Sequence, residues 1–213
     1  MITRSLHLQQ PQQWQLLLAQ AVSDPQTLLK TLQLDPDLLE PAKLAASGFR
    51  LRVPHGYVSR MHPGDPDDPL LRQVLPTGNE LVTGNGYSSD PLGEQSAMRL
   101  PGLLHKYHGR ILLTLTGACA IHCRYCFRRH YAYSENNPLN AHWHNSLDYI
   151  RQHPDVKEVI MSGGDPLSLP DSRLADLIAG LESIPHVRIL RIHSRMPVVL
   201  PERIDTGLIS WIE

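Results

Sequence analysis

The sequence predicts an α/β fold with a parallel sheet, preceded by a mostly helical amino-terminal region. Two observations carry this. From about residue 105, three β-rich runs alternate with amphipathic stretches, the order that right-handed βαβ crossovers produce. Before that point, Asp-Pro pairs recur at the heads of short apolar segments, where aspartate caps a helix and proline fits its first turn.

Each element follows from its own pattern. Residues 12–22 place Trp14, Leu17, Leu18, Ala21 and Val22 at helical spacing and predict an amphipathic helix. Asp24-Pro25 and Asp35-Pro36 open helices over 25–33 and 36–46, and Asp68-Pro69 repeats the device before 70–74. Residues 76–101, rich in Gly, Ser, Asn and Pro, read as loop. The first predicted strand is RILLTLT at 110–116, ending at Gly117. The second is VKEVIM at 156–161 and the third VRILRI at 187–192. Helices are expected over 139–153 and 171–184, the second with Leu174, Leu177, Ile178 and Leu181 on one face. Another helix begins near 204. The chain is thus expected to divide into a helical region and loop, 1–104, and an α/β core, 105–213. Three parallel strands leave an open edge, so the core reads as part of a larger barrel, with a small three-stranded domain as the alternative.

Composition excludes several classes. Twenty basic residues stand against 21 acidic ones, so no bulk charge draws in nucleic acid or an anionic membrane. No run approaches the ~18 apolar residues of a bilayer span. The first residues hold no apolar signal core, so a cytosolic protein is expected. Apolar residues make up 41%, enough for a packed core.

The chemistry concentrates after the first strand. The three cysteines, Cys119, Cys123 and Cys126, all fall in one loop at the carboxyl end of the predicted sheet, where α/β folds bind ligands. An odd count in a reducing compartment argues against disulfides. Three thiolates on one loop suit three irons of a four-iron cluster. The alternative is a closed zinc site of Cys119, Cys123, Cys126 and His130. After the second strand comes Ser162-Gly163-Gly164-Asp165-Pro166. Glycine there permits close backbone approach, and the bland reading is a turn with Asp165 as cap.

The CxxxCxxC spacing, with Tyr125 before the last cysteine, and the Gly-Gly-Asp-Pro turn together resemble the radical S-adenosylmethionine (SAM) superfamily. LLHKYHGR at 103–110, FRRH at 127–130 and IHSRMPVVLP at 192–201 are similar to the lysine 2,3-aminomutase family. GFRLRVP at 48–54 and DDPLLRQV at 67–74 resemble its branch that serves elongation factor P.

The resemblance implies a partial (β/α) radical SAM barrel, its first three βα units. It implies isomerisation of (S)-α-lysine to (R)-β-lysine, with a [4Fe–4S] cluster, SAM and pyridoxal 5′-phosphate, and a functional link to elongation factor P and its lysine ligase. Cys119, Cys123 and Cys126 match the cluster ligands. Tyr125, Gly163, Gly164 and Asp165 match SAM-site positions, joined by His193, Ser194 and Arg195 at the third strand's end. Lys106, Tyr107 and Arg110 match the pyridoxal-phosphate phosphate site, with an ordinary basic strand entry as the plain alternative. Arg128 matches the arginine for the substrate carboxylate, where a planar fork suits bidentate pairing; Arg129 beside it has no firm assignment. The alternatives are a radical SAM enzyme without pyridoxal phosphate and a zinc-stabilised interaction module. Members of the family are often multimeric, so the resemblance allows a homo-oligomer whose interface could use the amino-terminal helices; the sequence does not settle the oligomeric state.

One departure stands out. The family anchors pyridoxal phosphate on a lysine in a glycine-containing context. Lys30, Lys43, Lys106 and Lys157 are the only lysines, and none fits. The sequence therefore reads as roughly the first two-thirds of the enzyme, and these 213 residues alone are expected not to catalyse the aminomutation.

Overall fold

In the computed structural model, residues 12–82, 84, 86–133 and 142–212 are described. The amino-terminal region is helical as expected. It comprises α1 (Gln13–Ala19), α2 (Pro25–Thr31), α3 (Leu39–Gly48) and α4 (His55–Val58). The Asp-Pro reading holds in atomic detail. Asp24 accepts from Thr27 N at 2.9 Å, and Asp35 accepts from Asp37 N at 2.9 Å to start a 3-10 turn that runs into α3. Asp68 accepts from Leu70 N and Leu71 N at 2.8 and 2.9 Å, and the segment it caps is a 3-10 turn, Leu71–Gln73. The first helix is shorter than predicted: Val22 instead forms a β-bridge with Val53.

The stretch 76–101 is not all loop. A 3-10 turn covers Gly78–Leu81, helix α5 covers Glu94–Ala97, and strand β1 covers Met98–Leu100. Asp90 caps α5, accepting from Glu94 N and Gln95 N at 2.8 and 3.0 Å. Strand β2 (Leu103–Tyr107) follows and turns tightly through His108-Gly109 into β3 (Arg110–Thr114). Gly109 takes φ +75°, a left-handed conformation that glycine adopts without strain.

From β3 onward the βαβ order appears as predicted. Helix α6 (His142–Arg151) leads to β4 (Glu158–Ser162), then α7 (Asp171–Glu182), β5 (Ile189–Ile192), α8 (Met196–Val199) and α9 (Thr206–Ile212). The predicted helix start at 139–141 lies outside the described residues. Strands β3, β4 and β5 are parallel, in the register Leu112↔Ile160 and Ile160↔Arg191. Strands β1 and β2 add antiparallel to β3, so the sheet is five-stranded, mixed and unclosed, in the order β1-β2-β3-β4-β5. The expected open edge beside the first parallel strand is therefore covered by a hairpin. The pattern was mistaken there because LLHKY reads as a lead-in when its pairing partner is the strand it precedes.

One apolar cluster runs from the amino-terminal helices into the sheet, joining Trp14, Leu28 and Tyr57 to Ile111, Val159 and Leu174. A polar tie reinforces it. Arg203 is fully buried, donates to Leu167 O and to Asp171 Oδ1 at 2.8 and 2.6 Å, and lies 4.7 Å over the Trp14 ring. Among the described residues no helix is long and apolar enough to cross a membrane.

Candidate functional site

The cysteine loop leaves the carboxyl end of β3 and is stitched to the end of β4. Leu115 N donates to Ser162 O at 2.9 Å, Gly164 N to Thr116 O at 2.6 Å, and Asp165 N to Ala118 O at 2.8 Å. These bonds explain the two glycines from within the chain. Gly163 has φ +121°, and a Cβ there would meet Thr116 O at 2.7 Å; at Gly164 a Cβ would meet Ala118 O at 2.4 Å. The glycines allow the β4 turn to lie directly on the cysteine loop, besides any role toward a ligand.

A cavity of about 640 Å³ opens there, lined by Cys119, Cys123, Cys126, Gly163, Asp165 and Arg195. Tyr125, Gly164, His193 and Ser194 also face it, so every residue matched to the cluster and SAM positions lies in one place. Burial, aided by the nearby Asp165 carboxylate, pushes the Cys119 thiol up to about 12. Burial also raises Cys123, opposed by the Arg195 guanidinium, whose Nη1 donates to Cys123 Sγ at 2.6 Å.

All three thiols are free. Among the described residues no three His, Cys, Asp or Glu side chains converge on a point that could hold a single ion. His130 does not line the cysteine cavity; it lies in neighbouring hollows, one shared with Glu80, Tyr87 and Cys126 and one with Asp90 and Tyr131. The four-ligand zinc site therefore finds no support in the geometry. Three thiols lining one cavity are the donor set that a cubane takes, each thiolate on a different iron.

Asp165 is more occupied than a free ligand-reading acid. Its Oδ1 accepts from Leu167 N and Ser194 Oγ at 3.0 and 2.7 Å; its Oδ2 accepts from Arg195 N and Met196 N at 2.7 and 3.2 Å. The carboxylate thus ties the end of β4 to the turn after β5. Arg195 continues from that turn to Tyr125 Oη at 2.9 Å and Gln73 Oε1 at 2.8 Å.

A second cavity, about 240 Å³, lies beside the first, and its lining includes Lys106, Tyr107, Arg110, Glu94 and Phe127. Leu112, Phe127 and Arg128 line both cavities, so Arg128 sits in the shared wall. The three residues matched to a phosphate site are brought together here. Lys106 Nζ donates to Leu92 O at 2.6 Å and lies 5.6 Å from the Tyr107 ring centre, and Arg110 pairs with Glu158 at 2.8 Å.

Arg128 is buried and gripped by Glu94, with Nε to Oε2 at 2.7 Å and Nη2 to Oε1 at 2.5 Å; its Nη1 donates to Ser162 Oγ and Gly163 O, both at 3.1 Å. Burial works against the charge, but the Glu94 carboxylate outweighs it and the pKa is raised. Glu94 was not foreseen. Asp90-Pro91 points to a helix start nearby, but α5 begins at Glu94 with Gly93 at its cap position, and no local pattern singles out Glu94 as the partner of Arg128. Arg129, left without a firm role, pairs with Glu80 at 3.2 Å.

The comparisons with known proteins agree with this geometry. Residues 113–207 match the family model of the radical SAM superfamily. The chain is 49% identical over 198 residues to the L-lysine 2,3-aminomutase of Escherichia coli (strain K12), covering 92% of this chain and 58% of that protein. It is 40% identical to the Buchnera aphidicola enzyme of the same name, over 98% of this chain and 62% of that one. It is 36% identical to the Clostridium subterminale enzyme, over 94% and 48%. The chain thus spans between about half and three-fifths of these relatives' length. With its five-stranded α/β sheet and the cysteine loop at the carboxyl end of its parallel strands, the chain belongs to the lysine 2,3-aminomutase family of the radical SAM superfamily.

Proposed function

We propose that this chain carries the cluster and SAM half of an isomerase that converts (S)-α-lysine to (R)-β-lysine for elongation factor P, in concert with its lysine ligase. The observation that carries this reading is the shared wall: Arg128 and Phe127 line both the cysteine cavity and the basic cavity. A substrate carboxylate held at Arg128 lies between the two.

When bound, the cluster and SAM supply radical chemistry and pyridoxal phosphate supplies an electron-accepting ring. The chain's residues do the rest. Cys119, Cys123 and Cys126 hold the cluster. The Gly163-Gly164 backbone and Tyr125 border the SAM position, with His193, Ser194 and Arg195 across the cavity and Asp165 fixing the turn that bears Ser194 and Arg195. Lys106, Tyr107 and Arg110 hold the phosphate of pyridoxal phosphate, two cations and a phenol being suited to a dianion. Glu94 occupies the fork expected to hold the substrate carboxylate bidentately: of the five N–H groups of Arg128 four are engaged, so without rearrangement a carboxylate there meets only one.

Anaerobic reconstitution tests the metal reading. A brown protein with about four irons and four sulfides per chain supports it, and a colourless protein with one zinc overturns it. Replacing all three cysteines by alanine is expected to abolish iron binding. In the whole protein, β-lysine should form from L-lysine only with SAM and pyridoxal phosphate; product without pyridoxal phosphate favours a different radical SAM reaction.

A further inference from the structure

The amino-terminal region does more than flank the cysteine loop. Residues 71–81 grip it from outside the cavity. Gln73 O accepts from Arg124 N at 2.9 Å, Arg72 O from Arg124 Nη1 at 3.2 Å, and Thr77 Oγ1 from Arg124 Nη2 at 3.0 Å. Glu80 then takes two arginines of the loop at once. Its Oε1 accepts from Arg124 Nε at 2.7 Å and its Oε2 from Arg129 Nη1 at 3.2 Å. The Glu80 side chain is only 11% exposed, and those of Arg124 and Arg129 are 26% and 20% exposed. Partial burial gives these charge-assisted bonds more weight than surface pairs have.

The placement of the two arginines matters. Arg124 lies between Cys123 and Cys126, and Arg129 follows Cys126 by three residues. A single carboxylate therefore spans the segment that bears two of the three thiols. Glu80 is itself fixed: its Oε1 also accepts from Thr77 N at 3.0 Å, closing a capping box at the head of the turn Gly78–Leu81. On the opposite side, Gln73 Oε1 accepts from Tyr125 Oη at 3.2 Å and from Arg195, the residue bonded to Cys123 Sγ. Residues 71–81 thus meet the cysteine loop at its backbone, at both flanking arginines and, through Arg195, at one sulfur.

We infer that residues 71–81 form a positioning clasp for the cluster-bearing loop, with Glu80 the positioning residue that holds Cys123 and Cys126 in register for iron. Among the described residues Glu80 makes no hydrogen bond to a thiol, and it does not line the cysteine cavity, though it shares a neighbouring hollow with Cys126. It acts through Arg124 and Arg129. The inference rests on the reading that the three thiols hold an iron–sulfur cluster.

The test uses the reconstituted chain under anaerobic conditions, with a ferrous chelator in excess and iron release followed by absorbance. Glu80→Gln keeps the size and loses the two-arginine grip; the metal-free protein should melt somewhat lower, and iron release, compared at a temperature well below both melting midpoints where each protein is fully folded, is expected to quicken at least fivefold. Glu80→Asp retains the charge and should fall between the two. Arg129→Gln removes one leg only and should quicken release by a smaller factor, which keeps the test open should Glu80→Gln fold poorly. Release at the unaltered rate in both Glu80→Gln and Arg129→Gln overturns the clasp. An unaltered chain that takes up no iron overturns the cluster reading instead, so the two failures are distinct.

Discussion

Glu94 closes both carboxylate oxygens on the Arg128 guanidinium, a buried fork-on-fork pair in the wall between the two cavities. Glu94 sits in the first turn of α5 and Arg128 just past the last cysteine, so the pair fastens the entry of the β1–β2 hairpin to the cysteine loop. It also fixes the plane in which the guanidinium meets a ligand. Removing one partner of such a pair leaves an uncompensated buried charge and costs about 3–5 kcal/mol. Glu94→Ala is expected to lower stability by that amount in urea unfolding. Replacing both partners, Glu94→Leu with Arg128→Met, is expected to recover most of it. A loss under about 1 kcal/mol for the single variant would show that the pair is not held as described.

Gly164→Ala tests the stitching of β4 to the cysteine loop. The added methyl would stand 2.4 Å from Ala118 O and 2.9 Å from Gly117 C, both backbone atoms that cannot rotate away. The loop must shift, so the variant should lose about 2–4 kcal/mol and retain little iron after reconstitution. Full iron content with unaltered unfolding would refute this account of the turn.

Asp165→Asn probes a carboxylate saturated by four donors. An amide nitrogen in place of one oxygen faces either Leu167 N and Ser194 Oγ or Arg195 N and Met196 N. At least one backbone donor is left unpaired, at a cost of about 1–3 kcal/mol. The turn bearing Ser194 and Arg195 is released with it. Equilibrium dialysis of the reconstituted variant should show SAM affinity reduced about tenfold. Unchanged affinity would mean that Ser194 and Arg195 keep their places without this carboxylate.

These residues show where the sequence was legible and where it was not. The Asp-Pro caps, the parallel strands and the cysteine loop are local patterns, each written within a few residues, and they stand where expected. Strands β1 and β2 were missed because an antiparallel hairpin of short strands carries little periodicity, and only the turn at His108-Gly109 marks it. Glu94 and Glu80 were missed for a different reason. Each meets its arginines across 34 to 49 positions of sequence, a distance at which one acid looks like any other. Asp165 was legible as a motif but not as a tie, since three of its four donors arrive from the turn after β5.

Asp68 supplies the pH dependence. It is buried, accepts from His62 N and Leu71 N, and faces the His62 ring at 2.9 Å. Burial alone would raise its pKa, but these hydrogen bonds prevail and hold it down at about 2, against an ordinary value of 3.8. Because the folded value is depressed, the carboxylate contributes stability that is fully present above the unfolded value. That contribution is lost as pH falls from about 4 to about 2, and amounts to about 2 kcal/mol. Asp68→Asn still offers one oxygen but no charge, so its unfolding free energy should fall below that of the unaltered protein at pH 6. The gap should close as both are titrated toward pH 2. A gap that stays constant over that interval would assign the loss to geometry and not to the ionised carboxylate.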